Sequence, residues 1–160
     1  MARYTAYYNT HSFIVSNPFF EVRPHKGVDA LDLTAILNSS LTMLMLEFSG
    51  RYRENRDRTI SNQIAVDDME NLLIIDPRKL SQEKSDLLKK NVKKIMTFKQ
   101  SSDGIINEAD IKERRALDET VFIDILNLKH SDMEDAIEGL SSCVKRRLSH
   151  GINHVNDEDD

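Results

Sequence analysis

Four arginines fall within eight residues: Arg51, Arg53, Arg56 and Arg58. A guanidinium forks two phosphate oxygens at once and also matches the O6/N7 edge of guanine. Tyr52 lies among them, with a ring that can stack on a base or pack against a sugar. Asn62 and Gln63 follow, and amide side chains pair with adenine edges. Arg51, Tyr52, Arg53, Arg56, Arg58, Asn62 and Gln63 therefore carry the chemistry of a polyanion contact, double-stranded DNA in particular. The plain alternative is a surface loop neutralised by its own Glu54 and Asp57.

Other candidates for chemistry are weaker. Ser16-Asn17-Pro18-Phe19-Phe20 partly matches the Asp/Asn-Pro-Pro-Tyr/Phe loop with which amino-methyltransferases hold an extruded base. The second proline is Phe19 here, and only fifteen residues, none of them glycine, precede Ser16. A cofactor turn needs a strand and glycines upstream, so a turn before an aromatic strand is the simpler reading. His11, His25, His130, His150 and His154 share no ligand spacing with Cys143 or with paired carboxylates. Cys143, the one cysteine, is expected as a small buried or half-buried side chain in a helix. Lys145-Arg146-Arg147 lies in what reads as the last turn of the last helix, where cations oppose the macrodipole. No catalytic set, cofactor cradle or metal pattern emerges.

The elements that must carry the arginine cluster come next. Arg3–Tyr8, Phe13–Val15 and Phe19–Arg23 read as short strands, and Pro24–Gly27 as a turn. Asp29 or Asp32 can cap a helix that runs to Ser49 and stops at Gly50. Its apolar residues cover much of the circumference, which predicts burial on most sides. Asn38-Ser39-Ser40 interrupts this as a small polar face that should touch backbone or a strand. Arg51–Arg58 is expected as a charged loop, Thr59–Val66 as a strand, Asp67–Glu70 as a turn or one helical turn, and Leu72–Ile75 as a buried strand ended by Asp76-Pro77.

The second half reads as helical. Leu87, Leu88, Val92, Ile95 and Met96 fall at helical spacing, with Lys89, Lys90, Lys93 and Lys94 mostly turned to solvent. Asp110 with Glu113, and Ser131 with Glu134, look like helix starts. Met133, Ile137, Leu140, Val144 and Leu148 alternate three- and four-residue steps, a face that suits a paired helix. The fold expectation is thus α+β: a small mixed sheet with a buried helix over residues 1–79, a C-terminal helical part over 80–150 packed on it, and a disordered acidic tail over 151–160.

Composition bounds the class. A chain of 160 residues that is 39% hydrophobic can build one ordinary core. The net charge of −5 argues against a generic nucleic-acid binder. Four of those charges sit in Asp157-Glu158-Asp159-Asp160, so the remainder is near neutral and free to hold a local basic patch. The start lacks the pattern of a secretion signal, the longest apolar stretch is too short to span a bilayer, and a lone cysteine suits a reducing interior, so a cytoplasmic location is expected.

Several strings in order resemble one family. Leu37-Asn38-Ser39-Ser40-Leu41, Glu47, Gly50-Arg51, Ala65-Val66-Asp67 and Leu72-Leu73-Ile74-Ile75-Asp76-Pro77 are followed by Arg114-Arg115-Ala116-Leu117-Asp118-Glu119-Thr120-Val121-Phe122, Leu126-Asn127-Leu128 and Val144-Lys145-Arg146-Arg147-Leu148. The series, over residues 3–148, resembles the C-terminal region of N6-adenine DNA methyltransferases of restriction–modification systems, of the Eco57I/TaqI-like or fused restriction–methylation type. The resemblance implies a target-recognition region without catalytic activity of its own. It implies that S-adenosylmethionine and the catalytic motifs belong to a domain or subunit absent from this chain. Between Tyr52 and Gln63 the chain departs from the family, where a glycine-rich segment is usual; those residues rest on their chemistry. The competing expectation is a helical module that docks on a methylase or nuclease subunit through its C-terminal helices and does not touch DNA.

Overall fold

The computed structural model describes residues 6–11, 20–54, 60–97 and 108–153. Its elements are α1 (Ala30–Leu37), α2 (Ser40–Ser49), β1 (Arg51–Glu54), β2 (Ile60–Gln63), α3 (Val66–Glu70), α4 (Gln82–Thr97), α5 (Glu108–Glu119) and α6 (His130–Asn153). A 3₁₀ turn over Pro77–Lys79 precedes α4, and a π-helical segment over Thr120–Ile125 prolongs α5.

The α+β expectation with a mixed sheet is overturned: the chain is helical, and the β pairing among the described residues is one antiparallel two-stranded ribbon, β1 with β2. The apolar run behind the expected buried strand shows why. Leu72–Ile75 is irregular and belongs to no strand, Leu73 is 77% exposed and Ile74 42% exposed. Only Ile75 packs on the core. A short apolar run states a demand for burial and says nothing of a ladder partner. Among the described residues no expected partner supplies one. Ala6 bonds a side-chain amide instead of a strand, residues 20–23 are irregular, and residues 1–5 and 12–19 lie outside the described residues.

The core is made where helices cross. Ala35 and Ile36 of α1, Leu88 and Val92 of α4, Leu117 of α5, Val121 and Phe122 of the π segment and Met133 of α6 form one buried cluster. It draws on both halves of the chain. Burying side chains of this size contributes roughly 1.5–3 kcal/mol each before entropy is counted. Helix α4 lies between α1 and α5, and α6 packs chiefly along α2 rather than along α5. The spacing of Leu88, Val92 and Ile95 behaves as expected, with Lys90 and Lys93 exposed.

The single helix expected from Asp29 or Asp32 to Ser49 is two helices, bent by 64° at Asn38-Ser39. Asp29 caps the first, accepting from the N–H groups of Leu31 (2.9 Å) and Asp32 (3.2 Å). Ser39 caps the second by accepting from the Thr42 N–H, the exchange of partners that leaves a serine favoured at a helix start. Among the described residues no single helix is long and apolar enough to cross a membrane; α1 and α2 pass that test only jointly, across their bend.

Two left-handed positions turn the chain. Gly27 (φ +86°) closes the expected Pro24–Gly27 turn. Asn127 (φ 54°) ends the π segment, where its own N–H donates to the Ile123 carbonyl and the Leu128 N–H to the Phe122 carbonyl at 2.9 Å. That closure, with an asparagine tolerating the left-handed well, separates α5 from α6. The expected Ser131–Glu134 start of α6 is displaced by two residues, to Lys129 and Asp132: Asp132 accepts the Lys129 N–H, and Glu134 pairs with Arg115.

Candidate functional site

Helix α2 ends at Gly50, whose N–H bonds the Leu46 carbonyl and whose backbone is already extended (φ −74°, ψ 160°). The chain leaves the helix straight into β1. The expected Arg51–Arg58 loop is therefore a strand in its first half, and the described part of the expected Thr59–Val66 strand is β2, an irregular Ile64-Ala65 and the first residue of α3. The register pairs Arg51 with Gln63, Tyr52 with Asn62, Arg53 with Ser61, and Glu54 with Ile60.

This register sorts the predicted residues. Directly paired residues share a face, and neighbours along a strand alternate. Arg51, Arg53, Ser61 and Gln63 fall on one face of the ribbon; Tyr52, Glu54, Ile60 and Asn62 fall on the other. Arg51 and Gln63, at the base of the first face, are exposed, and Arg51 makes no ion pair among the described residues. Glu54, offered by the sequence as a neutralising partner, belongs to the opposite face, and Asp57 lies outside the described residues. Arg56 and Arg58 also lie outside them. The predicted set is thus divided: Arg51, Arg53 and Gln63 come together, Tyr52 and Asn62 pair with each other across the ribbon, and Ser61 joins the arginine face unpredicted. Only the register could reveal Ser61, because its place depends on which residues cross from β1.

The ribbon is held to the helices by β2, which lies against α6. An arginine-faced, two-stranded ribbon has the shape that fits the major groove of B-form DNA and the charge to bind its phosphates.

A second constellation was hidden in the family-like strings, and it is structural. Asp118, 3% exposed, accepts the Ser40 N–H (2.7 Å) on Oδ1 and the Ser40 hydroxyl (2.6 Å) on Oδ2. Ser40 is the first residue of α2, so a carboxylate meets the positive end of that helix. Arg114 donates to the Asn38 carbonyl at 3.2 Å. The Asn38 amide in turn pairs with Ala6 in both directions, accepting its N–H (3.2 Å) and donating to its carbonyl (2.8 Å). The polar Asn38-Ser39-Ser40 face does touch backbone, as its composition suggested. The strings around Asn38 and around Asp118 are one junction that fixes the bend between α1 and α2. Burial pushes the Asp118 carboxyl up, against the Ser40 bonds and the charges of Arg114 and Arg115.

Asp32 anchors α1 to α4 in a similar way. It accepts the Ser85 hydroxyl at 2.7 Å on Oδ2, with the Lys89 ammonium 3.7 Å away and closer to Asp29 (2.7 Å). Its Oδ1 is buried without a partner, and burial raises its pKa against the pull of Ser85 and Lys89. On the far side of α4, Asn91 is buried and donates to the Ala116 carbonyl (3.1 Å) and the Thr120 hydroxyl (3.0 Å). These groups tie helices together; among the described residues no cluster of His, Cys, Asp or Glu could hold a metal ion.

The apolar spacing of α6, on which the docking alternative rested, is largely spent inside the molecule. Met133 and Val144 are buried, and Ala136 and Ile137 pack on the core. No protein-family model, curated protein or solved structure matches the chain.

Proposed function

We propose that this chain is the DNA-recognition part of an adenine-specific modification methylase and has no catalytic activity alone. S-adenosylmethionine and the base-modifying residues belong to a separate domain or subunit, and the work is done in the cytoplasm, where the DNA is. The arginine face of the ribbon carries the reading: Arg51 and Arg53 share a face with Ser61 and Gln63, with the acidic Glu54 on the other side. The ordered family-like strings support the methylase assignment, since two of them meet in one buried junction. The arginines bind phosphate or guanine, and Gln63 is the amide placed beside them.

Fluorescence anisotropy with a mixed-sequence duplex tests this. Each phosphate contact contributes about −0.9 to the slope of log K against log salt. Changing Arg51 and Arg53 together to alanine should weaken binding and reduce the slope by about 2. Unchanged affinity and slope would remove DNA recognition by the ribbon.

A further inference from the structure

We infer that Gln63 is the residue by which the ribbon selects a DNA sequence, and that the base it selects is adenine, an assignment that rests on the DNA-recognition reading. The work of the site is then divided. Arg51 and Arg53 grip phosphate without regard to sequence, and the amide beside them reads a base edge in the major groove.

Register separates the two adjacent amides, Asn62 and Gln63. Gln63 stands directly opposite Arg51, on the face that holds Arg53 and Ser61. Direct cross-strand partners have Cβ atoms about 4.5–5.5 Å apart, so a duplex gripped by Arg51 also meets Gln63. Asn62 stands opposite Tyr52 on the other face, which also holds Glu54. A carboxylate on that face repels a phosphate backbone. Gln63 is therefore the amide that approaches DNA together with the arginines.

Its place in the ribbon suits a reader. Gln63 ends β2 and Arg51 begins β1, so this pair lies where the ribbon leaves the helices. Gly50, just before Arg51, is tied to α2 by its bond to the Leu46 carbonyl at 3.0 Å, and β2 lies against α6. A side chain that must discriminate between bases has to be held within about 0.5 Å of its productive position. The root of the ribbon is where the helices fix the backbone.

The amide itself is unspent. The Gln63 side chain is exposed and makes no hydrogen bond or ion pair among the described residues. It carries an acceptor beside a donor. Adenine presents N7 as acceptor beside N6 as donor in the major groove, so the two close a pair of hydrogen bonds. Guanine presents two acceptors there, cytosine a donor alone, and thymine an acceptor and a methyl group. Phosphate offers acceptors only and leaves the amide carbonyl without a donor. Adenine is the partner that uses the whole amide.

The experiment uses the full chain and a library of duplexes with a randomised central segment, from which each protein enriches the sequences it prefers. The wild type should enrich a site containing an adenine whose replacement weakens binding roughly 5- to 150-fold. Q63A should lose the preference at that position alone and keep the wild-type salt slope. Q63E should move the preference to cytosine, because a carboxylate accepts from the cytosine N4 amino group. N62A should keep both site and slope, and thermal melts show that each variant is folded. R51A/R53A on one fixed duplex reads the ribbon separately. A flattened slope in R51A/R53A, with Q63A and Q63E enriching the wild-type site or with no site enriched by the wild type, overturns the role of Gln63 and leaves the ribbon reading standing. Loss of the adenine in N62A rather than in Q63A, or a flattened slope in Q63A, overturns it as well. An unchanged slope in R51A/R53A overturns the ribbon reading and Gln63 with it.

Discussion

Replacing Asp118 with alanine removes both partners of Ser40 at the start of α2. The Ser40 N–H and hydroxyl are then left in a cavity that water fills poorly, because Asp118 and the neighbouring Ser39 are both buried. Hydrogen bonds to a charged group contribute about 1.5–3 kcal/mol each. Releasing a buried carboxylate from its desolvation offsets part of that sum, so a net loss of about 2–4 kcal/mol is expected. For a chain of this size that lowers the melting temperature by roughly 10 °C. The isosteric D118N variant separates geometry from charge. Its carbonyl still accepts the Ser40 N–H, and its amide donates to a hydroxyl that simply rotates, so stability should stay within about 1 kcal/mol of the wild type. Acid adds a sign. Burial raises the folded pKa of Asp118. Its stabilising proton uptake is complete below the unfolded pKa and lost as pH rises through the folded one. Asparagine does not titrate, so D118N should compare best with the wild type at neutral pH and lose ground as pH falls toward the unfolded carboxylate value. Urea denaturation at several pH values measures all of this. D118A as stable as the wild type, or D118N as damaged as D118A, would refute the junction as the determinant of the α1–α2 bend.

Two further predictions concern local devices. At Asn127 the backbone is left-handed, so N127G should be near neutral, while the β-branched N127V should cost about 1–2 kcal/mol by urea denaturation; equal stability of the two would contradict the turn. Asp76 is held at about 2 by hydrogen bonds from the Arg78 guanidinium and backbone. Carbon-detected NMR titration should find that depressed midpoint in the wild type and a return toward the ordinary value of roughly 3.9 in R78A. The native-state preference it provides is present above the unfolded pKa and is lost as pH falls toward about 2. An ordinary midpoint in the wild type would dismiss the pair.

Local signals in the sequence were sufficient wherever the physics is local. Asp29 caps α1 because its carboxylate reaches N–H groups two and three residues on. Gly50 ends α2, Gly27 closes its turn, and the period of Leu88, Val92 and Ile95 turns one side of α4 to the core, all of it set within a few residues. The arginine cluster was also legible, because charge density needs no fold to be seen. Tertiary structure decided what depends on distant partners. Leu72–Ile75 has the composition of a buried strand, yet no strand pairs with it among the described residues, and Ala6 of an expected partner bonds the Asn38 amide. Asn38-Ser39-Ser40 shows a polar interruption in the sequence, but only a carboxylate seventy-eight positions away turns it into a bend between two helices. The division of Arg51, Arg53 and Gln63 from Tyr52 and Asn62 follows from the ribbon register, and a slip of one residue would reassign every side chain to the opposite face. The residue types of the candidate site were therefore determined by sequence alone, while their grouping was decided by cross-strand pairing, a long-range choice that no window of the chain contains.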